Sequence, residues 1–244
     1  MSLPHDRTAE RRALRVANIL DQALTIVEAE GLEGLTLNRL AQALGLVTTG
    51  LYRYFPSKDA LVAALQRRSI NVIHAHFREE LFRFSEQVAG STPATVALAT
   101  LIKVADLYLA LPATHVQEWR FVATLLGDPR QLLPAEEIGE TVPILTSFLL
   151  EIEALFERAT MLEALAEGPQ RQRVFAFWAA LHGALCMEKL RRVSTSPDDV
   201  GGFVVRALLS SWGATTARLT AATRLATVVN RPDPSRVVAT KGVP

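Results

Sequence analysis

The sequence predicts an all-α protein, with a small three-helix domain at the N-terminus and a larger helical domain after it. Apolar residues recur at spacings of three and four along nearly the whole chain, and no segment alternates between polar and apolar residues as a strand does. Glycines, prolines and capping residues mark the helix ends. The 244 residues are 49% hydrophobic, which is ample for a sizeable core.

The first helix is predicted over residues 8–30, because apolar side chains fall on one face there and Gly31 follows. Four arginines stand before this helix or in its first turns: Arg7, Arg11, Arg12 and Arg15. They are candidates for a basic arm that contacts phosphates. A solvated helix end is the alternative explanation.

Residues 36–58 predict two short helices joined by a tight turn. Thr36 is placed to cap the first helix, and Gly45 falls where a left-handed C-terminal cap is needed. The second helix is predicted over 48–54, and Pro56 stops it. Two helices joined by a glycine-containing turn are the signature of a helix-turn-helix, whose second helix enters the DNA major groove.

The second helix of this pair has an apolar side and a polar side. Leu51 and Phe55 are four residues apart, so they can anchor the helix to a core. The other positions carry hydrogen-bonding side chains, and Gly50 lets a partner approach the backbone closely. Hydroxyl groups and arginine suit contacts with phosphates and base edges. An ordinary amphipathic helix with a solvated outer face is the alternative.

The spacing of these residues resembles the DNA-binding domain of TetR-family transcriptional regulators, over about residues 11–60. The matched positions are Thr36, Leu40, Ala41, Gly45, Leu46, Leu51, Tyr52, Tyr54, Phe55, Ser57, Lys58 and Leu61. Val47 departs from the family, which usually has Ser or Thr there, so either Thr48 caps the helix or its end is looser. The resemblance implies DNA contacts by ten residues: Thr36, Asn38, Arg39, Thr48, Thr49, Gly50, Tyr52, Arg53, Tyr54 and Lys58.

The rest of the chain is predicted to be helical up to about residue 225. Helices are expected at about 58–84, 93–111, 115–126, from 134 with an interruption at Pro143, from 169 to 193, and at 200–225. The predicted domains are a helix-turn-helix DNA-binding domain over 1–58 and a helical effector-binding and dimerisation domain over 59–225. Residues 226–244 are predicted to form a disordered tail, because they contain two prolines and no period.

One stretch of the second domain, residues 177–183, resembles a W-x-x-x-H-G signature found in a subgroup of TetR-like C-terminal domains. In that family the last two long helices of each subunit form a four-helix bundle across a two-fold axis, so the resemblance implies a homodimer. A two-fold dimer matches a palindromic operator. The residues expected at this interface are Leu181, His182, Leu185, Val204, Leu208 and Ser211.

The middle of the chain carries many large apolar residues and a few polar ones, a composition typical of a ligand cavity. Plain core packing is the alternative for most of them. The residues predicted to line an effector pocket are Tyr108, His115, Trp119, Phe121, Phe148, Phe156, Phe175 and Trp178. The resemblance favours a small, apolar effector, without selecting a subset of these residues.

Composition and missing motifs exclude several classes of protein. The single cysteine cannot form an intramolecular disulfide, and the N-terminus has no apolar signal core, so a cytoplasmic location is predicted and a membrane location is not. The sequence has no P-loop, G-x-G-x-x-G, H-E-x-x-H or G-x-S-x-G motif, so no enzyme activity, cofactor or metal is predicted.

These observations predict a homodimeric repressor that a small apolar ligand releases from double-stranded DNA at a palindromic operator. An activator or a ligand-independent regulator is the first alternative. A helical enzyme or carrier with a degenerate DNA-binding head is the second, and it would show no salt-dependent DNA binding.

Overall fold

A computed structural model describes residues 4–88, 90–127, 135–187 and 200–229. Within these ranges the chain forms ten α-helices and no strand, which confirms the all-α prediction. The helices are α1 Pro4–Gly34, α2 Leu37–Ala43, α3 Thr48–Tyr52, α4 Lys58–Gln87, α5 Pro93–Thr114, α6 Val116–Gly127, α7 Ala135–Met161, α8 Gln170–Met187, α9 Val200–Ser211 and α10 Thr216–Val229. Residues 188–193, the end of the helix predicted from 169, and residues 230–244 of the predicted tail lie outside the described residues. Residues 226–229 were predicted to belong to the disordered tail but form the last turn of α10.

The helices form two compact units. Unit 1 comprises the described parts of Met1–His74 and Pro112–Thr146, and unit 2 comprises those of Ala75–Leu111 and Ser147–Pro244. The sequence places a domain boundary after residue 58, whereas the units divide inside α4 and group α6 with the N-terminal helices. The sequence boundary stays a prediction, because a long helix gives no local sign of where its packing partners change.

Unit 1 is built around a core to which α1, α2, α3, α4 and α6 all contribute. Ile19, Leu40, Leu51 and Leu61 are completely buried in it, and Phe121 supplies the side chain from α6. Gly31 leaves the helical conformation, with φ 74° and ψ 179°, at the residue where the sequence predicts that the first helix ends. Glycine tolerates this backbone because it has no Cβ.

Unit 2 is built around α5, whose side chains are buried on nearly every face. By length and composition α5 is the one helix of the described residues that would suffice to cross a membrane. Sixty-one per cent of its most apolar stretch is buried inside the fold, however, as expected of a core helix. The aromatic ring of Phe156 on α7 packs edge-to-face against Phe177 and Trp212, at centroid distances of 5.5 and 5.6 Å.

The predicted helix end at residue 111 and the predicted interruption at Pro143 are both wrong. Pro112 lies inside α5, which ends at Thr114, and Pro143 lies inside α7, which continues through it. A proline removes one backbone donor and strains the preceding turn, but a helix tolerates this where its apolar face remains packed. Pro143 is followed by such a face, which includes the buried residues Ile152 and Phe156.

The single last helix predicted over 200–225 is two helices, α9 and α10. Gly213 adopts φ +102°, its N–H donates to the Ser210 carbonyl at 3.0 Å, and the Ala214 N–H donates to the Leu209 carbonyl at 3.0 Å. This pair of bonds is a Schellman motif, which terminates α9. A Cβ at residue 213 would lie 2.9 Å from the backbone nitrogen of Ala166, so the chain passes too close there for any side chain.

Candidate nucleic-acid interface and ligand cavity

The turn between α2 and α3 is fixed by backbone hydrogen bonds. Gly45 has φ 63°, its N–H donates to the Gln42 carbonyl at 3.1 Å, and the Leu46 N–H donates to the Ala41 carbonyl at 2.8 Å. This is again a Schellman motif, in which glycine takes the left-handed position. At the other end of α2, the Thr36 hydroxyl accepts the Arg39 N–H at 3.2 Å, which is the predicted cap.

Helix α3 is anchored on one side and exposed on the other. Leu51 is completely buried and Phe55 is 6% exposed, so both hold α3 on the unit 1 core. The helix ends at Tyr52, two residues earlier than predicted, and Arg53 and Tyr54 follow in a turn. Val47 occupies the N-cap position and makes no side-chain hydrogen bond there, so Thr48 is the first helical residue and not the cap.

The ten predicted DNA-contact residues all lie on α2, on α3, or at their ends and the start of α4. Six of them are exposed: Thr36, Asn38, Arg39, Thr49, Tyr52 and Arg53. Four are half-buried: Thr48, Gly50, Tyr54 and Lys58. The exposed side chains that α3 and its following turn contribute can accept or donate hydrogen bonds, as contacts to phosphates and base edges require.

Three of these residues also make contacts inside unit 1. Arg39 forms an ion pair with Glu30, and the Lys58 ammonium donates to the Leu32 carbonyl at 3.1 Å. The guanidinium of Arg12 lies 5.5 Å from the centroid of the Tyr54 ring, a cation–π distance. The sequence could not show these contacts, because each joins residues nine or more positions apart. In this structure Lys58 stabilises the carbonyl end of α1.

The proposed basic arm is described in part. Arg11 and Arg12 are exposed on α1 and Arg15 is half-buried, while the side chain of Arg7 lies outside the described residues. Because Arg12 approaches the ring of Tyr54, the arm lies beside the turn that follows α3.

Part of the chain matches a known family of sequences. Residues 19–65, which include α2, α3 and the start of α4, match the sequence model described as bacterial regulatory proteins, tetR family. Over these residues the chain is similar to the N-terminal domain of that family. The matched segment coincides with the helix-turn-helix and most of its anchoring core.

Two curated relatives extend this finding. The repressor DrrR1 of Streptomyces coeruleorubidus is 42% identical over 62 residues, which cover 24% of this chain and 23% of DrrR1. The regulator EthR of Mycobacterium tuberculosis is 25% identical over 192 residues, covering 67% of this chain and 87% of EthR. The chain spans between 23% and 50% of the length of the first curated relatives that it matches. All of these relatives are named as transcriptional regulators or repressors.

A solved structure extends the likeness of fold to nearly the whole chain. The crystal structure of RolR with the ligand resorcinol has a TM-score of 0.56 and 16% identity, and the match covers 93% of this chain and 98% of RolR. At that identity the likeness concerns the fold alone.

A small apolar cavity lies within unit 2, between α4, α5, α7 and α8. Its volume is about 40 Å³, and its lining is Phe77, Val104, Tyr108, Phe148, Leu149, Ile152, Val174, Phe177, Trp178 and Leu181. None of these side chains carries a charge at neutral pH. The cavity holds little more than a water molecule.

Three polar groups meet at one end of this lining. The indole Nε1–H of Trp178 donates to the Tyr108 hydroxyl at 2.7 Å, and that hydroxyl lies 3.1 Å from Nδ1 of His182. Because an indole nitrogen only donates, the Tyr108 hydroxyl accepts from Trp178, while the direction of its bond with His182 depends on the tautomer of the imidazole. Burial raises the pKa of Tyr108 and lowers the pKa of His182, so both stay uncharged.

An open groove lies outside the same cavity. It has a volume of about 620 Å³ and runs between α4 and α7 in unit 2. Phe77, Phe148 and Ile152 line both the groove and the cavity, and the rings of Phe77 and Phe148 pack edge-to-face at 5.2 Å. The two rings therefore separate the cavity from the groove.

The structure does not bring the eight predicted pocket residues into one cavity. Tyr108, Phe148 and Trp178 line the unit 2 cavity, whereas Trp119 and Phe121 line a separate cavity in unit 1. His115 bonds the Thr114 hydroxyl, Phe156 packs in the unit 2 core, and Phe175 is 54% exposed. The sequence missed most of the lining, because apolar periodicity alone does not distinguish a cavity wall from a solid core.

The predicted interface residues also differ in exposure. Leu181 is buried in the cavity wall, and His182 bonds Tyr108. Leu185, Val204 and Leu208 are half-buried, and Ser211 is exposed. The large apolar side chains that α8 and α9 expose are instead Phe175, Met187, Val200 and Phe203.

Proposed function

We propose that the protein is a TetR-like transcriptional regulator, most simply a homodimeric repressor in the cytoplasm that binds a palindromic operator in double-stranded DNA. The observation that carries this proposal is the presentation of α3. Its apolar side is buried in unit 1, and its other side exposes Thr49 and Tyr52, with Arg53 directly after it. Such a helix suits the major groove.

Dimerisation follows from the few contacts that one helix-turn-helix makes with DNA. Two copies related by a two-fold axis double those contacts and match half-sites about 34 Å apart. Helices α8 and α9 pack on each other within unit 2 and expose Phe175 and Phe203, which are 54% and 67% accessible. We propose that these helices form the dimer interface, which extends the predicted set to Phe203 and Phe175.

The effector is proposed to be a small, neutral and mainly apolar molecule. The unit 2 cavity supports this class, because its lining is uncharged and its polar groups cluster at one end around Tyr108. RolR, whose fold is similar, was crystallised with resorcinol. A cavity of about 40 Å³ does not hold such a molecule, so binding requires the rings of Phe77 and Phe148 to separate.

The direct experiment is fluorescence anisotropy with DNA from upstream of the protein's own gene. A regulator that neutralises several phosphates binds this DNA with an affinity that falls steeply as salt rises. An unrelated DNA of equal length is the control, and it should bind far more weakly. Equal binding to the two DNAs would contradict the proposal, and binding to neither would favour the helical enzyme or carrier.

A further inference from the structure

A second cavity lies wholly within unit 1, between the end of α1, the start of α4 and α6. Its volume is about 410 Å³, ten times that of the unit 2 cavity. Cavities of 300 Å³ and above accommodate small organic ligands. Its walls include Val27, Leu32, Val62, Gln66, Trp119 and Phe121. We refer to it as the α1–α6 cavity.

Two hydrogen bonds hold α6 against α1 at the rim of this cavity. Gln117 donates from Nε2 to the Glu28 carboxylate at 2.7 Å, and Arg120 donates from Nη1 to the Glu28 carbonyl at 3.1 Å. One side chain–side chain bond and one side chain–backbone bond therefore hold the two walls together.

One residue of the cavity wall has a buried hydrogen-bond acceptor that is unpaired within the described part of the chain. Gln66 is only 5% exposed, and its Oε1 has no hydrogen-bond partner within the described part of the chain. Buried amide oxygens in folded proteins are nearly always paired, because leaving one unpaired forfeits its bond to water. The terminal torsion of a glutamine is broad, so the amide can turn towards a donor inside the cavity.

The rest of the wall determines which molecule would supply that donor. Trp119 and Phe121 are aromatic, and Val27, Leu32 and Val62 are aliphatic, so the interior favours a flat apolar body. The charges of Glu28 and Arg120 are opposite in sign, so the site favours no net charge on its occupant.

We propose that the α1–α6 cavity is a second ligand site, separate from the unit 2 cavity, which takes a small neutral aromatic molecule with an N–H or O–H donor directed at Gln66. Since the walls exist only in folded unit 1, the occupant stabilises that unit. The site does not depend on the proposed regulation through unit 2.

The test is a ¹⁹F NMR titration of the full chain with 5-fluoroindole and with 5-fluoro-1-methylindole, which lacks the N–H donor. The wild type should bind 5-fluoroindole about tenfold more tightly, the value of one neutral hydrogen bond. In Gln66→Leu the preference should disappear while 5-fluoro-1-methylindole still binds, because the apolar walls remain. Trp178→Leu, which alters the unit 2 cavity, should keep the wild-type preference.

A second variant covers the case in which Gln66→Leu fails to fold. Val62→Phe fills the α1–α6 cavity from α4, and it should abolish binding of both probes without lowering the melting temperature. Absence of saturable binding at millimolar probe would overturn the proposal and leave a bridging water as the partner of Gln66. Loss of binding in Trp178→Leu, or an unchanged preference in Gln66→Leu, would also overturn it.

Discussion

At the residue scale, Tyr52 is the clearest candidate for a contact with DNA. Its side chain is 51% exposed at the end of α3, so removal of its hydroxyl leaves the core intact. Tyr52→Phe should weaken operator binding by about 1–2 kcal/mol, which is the loss of one hydrogen bond to a phosphate. Anisotropy titrations measure this change. Tyr108→Phe removes a hydroxyl from unit 2 and is the matched control, and an equal loss in both variants would refute the assignment.

His182 gives the folded protein a specific pH dependence. Burial lowers its pKa below the ordinary value of 6.5. The unfolded chain therefore binds a proton at higher pH than the folded chain does, so stability falls as pH drops through 6.5 and levels off below the folded pKa.

Urea unfolding between pH 7.5 and 5 tests this dependence against His182→Asn, whose amide can still bond the Tyr108 hydroxyl but does not titrate. The wild type should lose more stability than the variant over that interval. Identical pH profiles would show that His182 is protonated equally in both states.

Single residues also show which features of the structure could be predicted from the sequence. Thr36 and Gly45 act through their immediate neighbours, so the cap and the glycine turn were predictable from local chemistry. Lys58 and His182 act through partners 26 and 74 positions away, and no local pattern contains that information. Of the two alternatives that the sequence offered at Val47, the structure has the uncapped one, because Val47 occupies the N-cap without a side-chain bond.

At the scale of elements, the contact between α4 and α7 controls access to the unit 2 cavity. Phe148 on α7 is half-buried and packs edge-to-face against Phe77. Phe148→Ala should join the groove to the cavity and speed the association of an apolar dye such as Nile red. Its cost in stability should stay below the 3–5 kcal/mol typical of a fully buried phenylalanine.

The matched control for this change is Leu150→Ala on the same helix, since Leu150 is 49% exposed. It should leave the association rate of the dye unchanged. Stopped-flow fluorescence measures both rates, and equal acceleration by the two variants would mean that the dye binds the surface of α7 and not the cavity.

Element boundaries were predictable where a backbone signal was strong and isolated. Gly45 adopts the positive φ that the sequence predicted, and Gly31, the predicted end of the first helix, leaves the helical conformation. Gly213 also adopts a positive φ. Its neighbours Trp212 and Ala214 are apolar, however, and give no sign of a turn in the sequence. The prolines of α5 and α7 predicted a helix end and an interruption that the structure does not have, because packing keeps those helices continuous.

At the scale of the whole molecule, the proposed assembly predicts the effect of a charge on α9. Phe203→Arg should convert the dimer to a monomer at micromolar concentration, because the interface would bury an unpaired cation. Light scattering should report about twice the 26.7 kDa chain mass for the wild type and about once that mass for the variant. Phe82→Arg, at a phenylalanine that is 63% exposed on α4, should remain dimeric. Dissociation by Phe82→Arg but not by Phe203→Arg would move the interface away from α9.

On the proposed function, operator DNA and an apolar ligand of the unit 2 cavity bind antagonistically. Linkage makes this coupling reciprocal, typically 1–3 kcal/mol, or about 5- to 150-fold in affinity. A suitable ligand is a neutral phenol that raises the melting temperature of the wild type but not of Trp178→Leu. The decisive measurement is calorimetry of that ligand with and without saturating operator. We expect the ligand to bind more weakly on the operator, by the same factor by which it weakens DNA binding. Equal ligand affinities with and without operator would refute the antagonism.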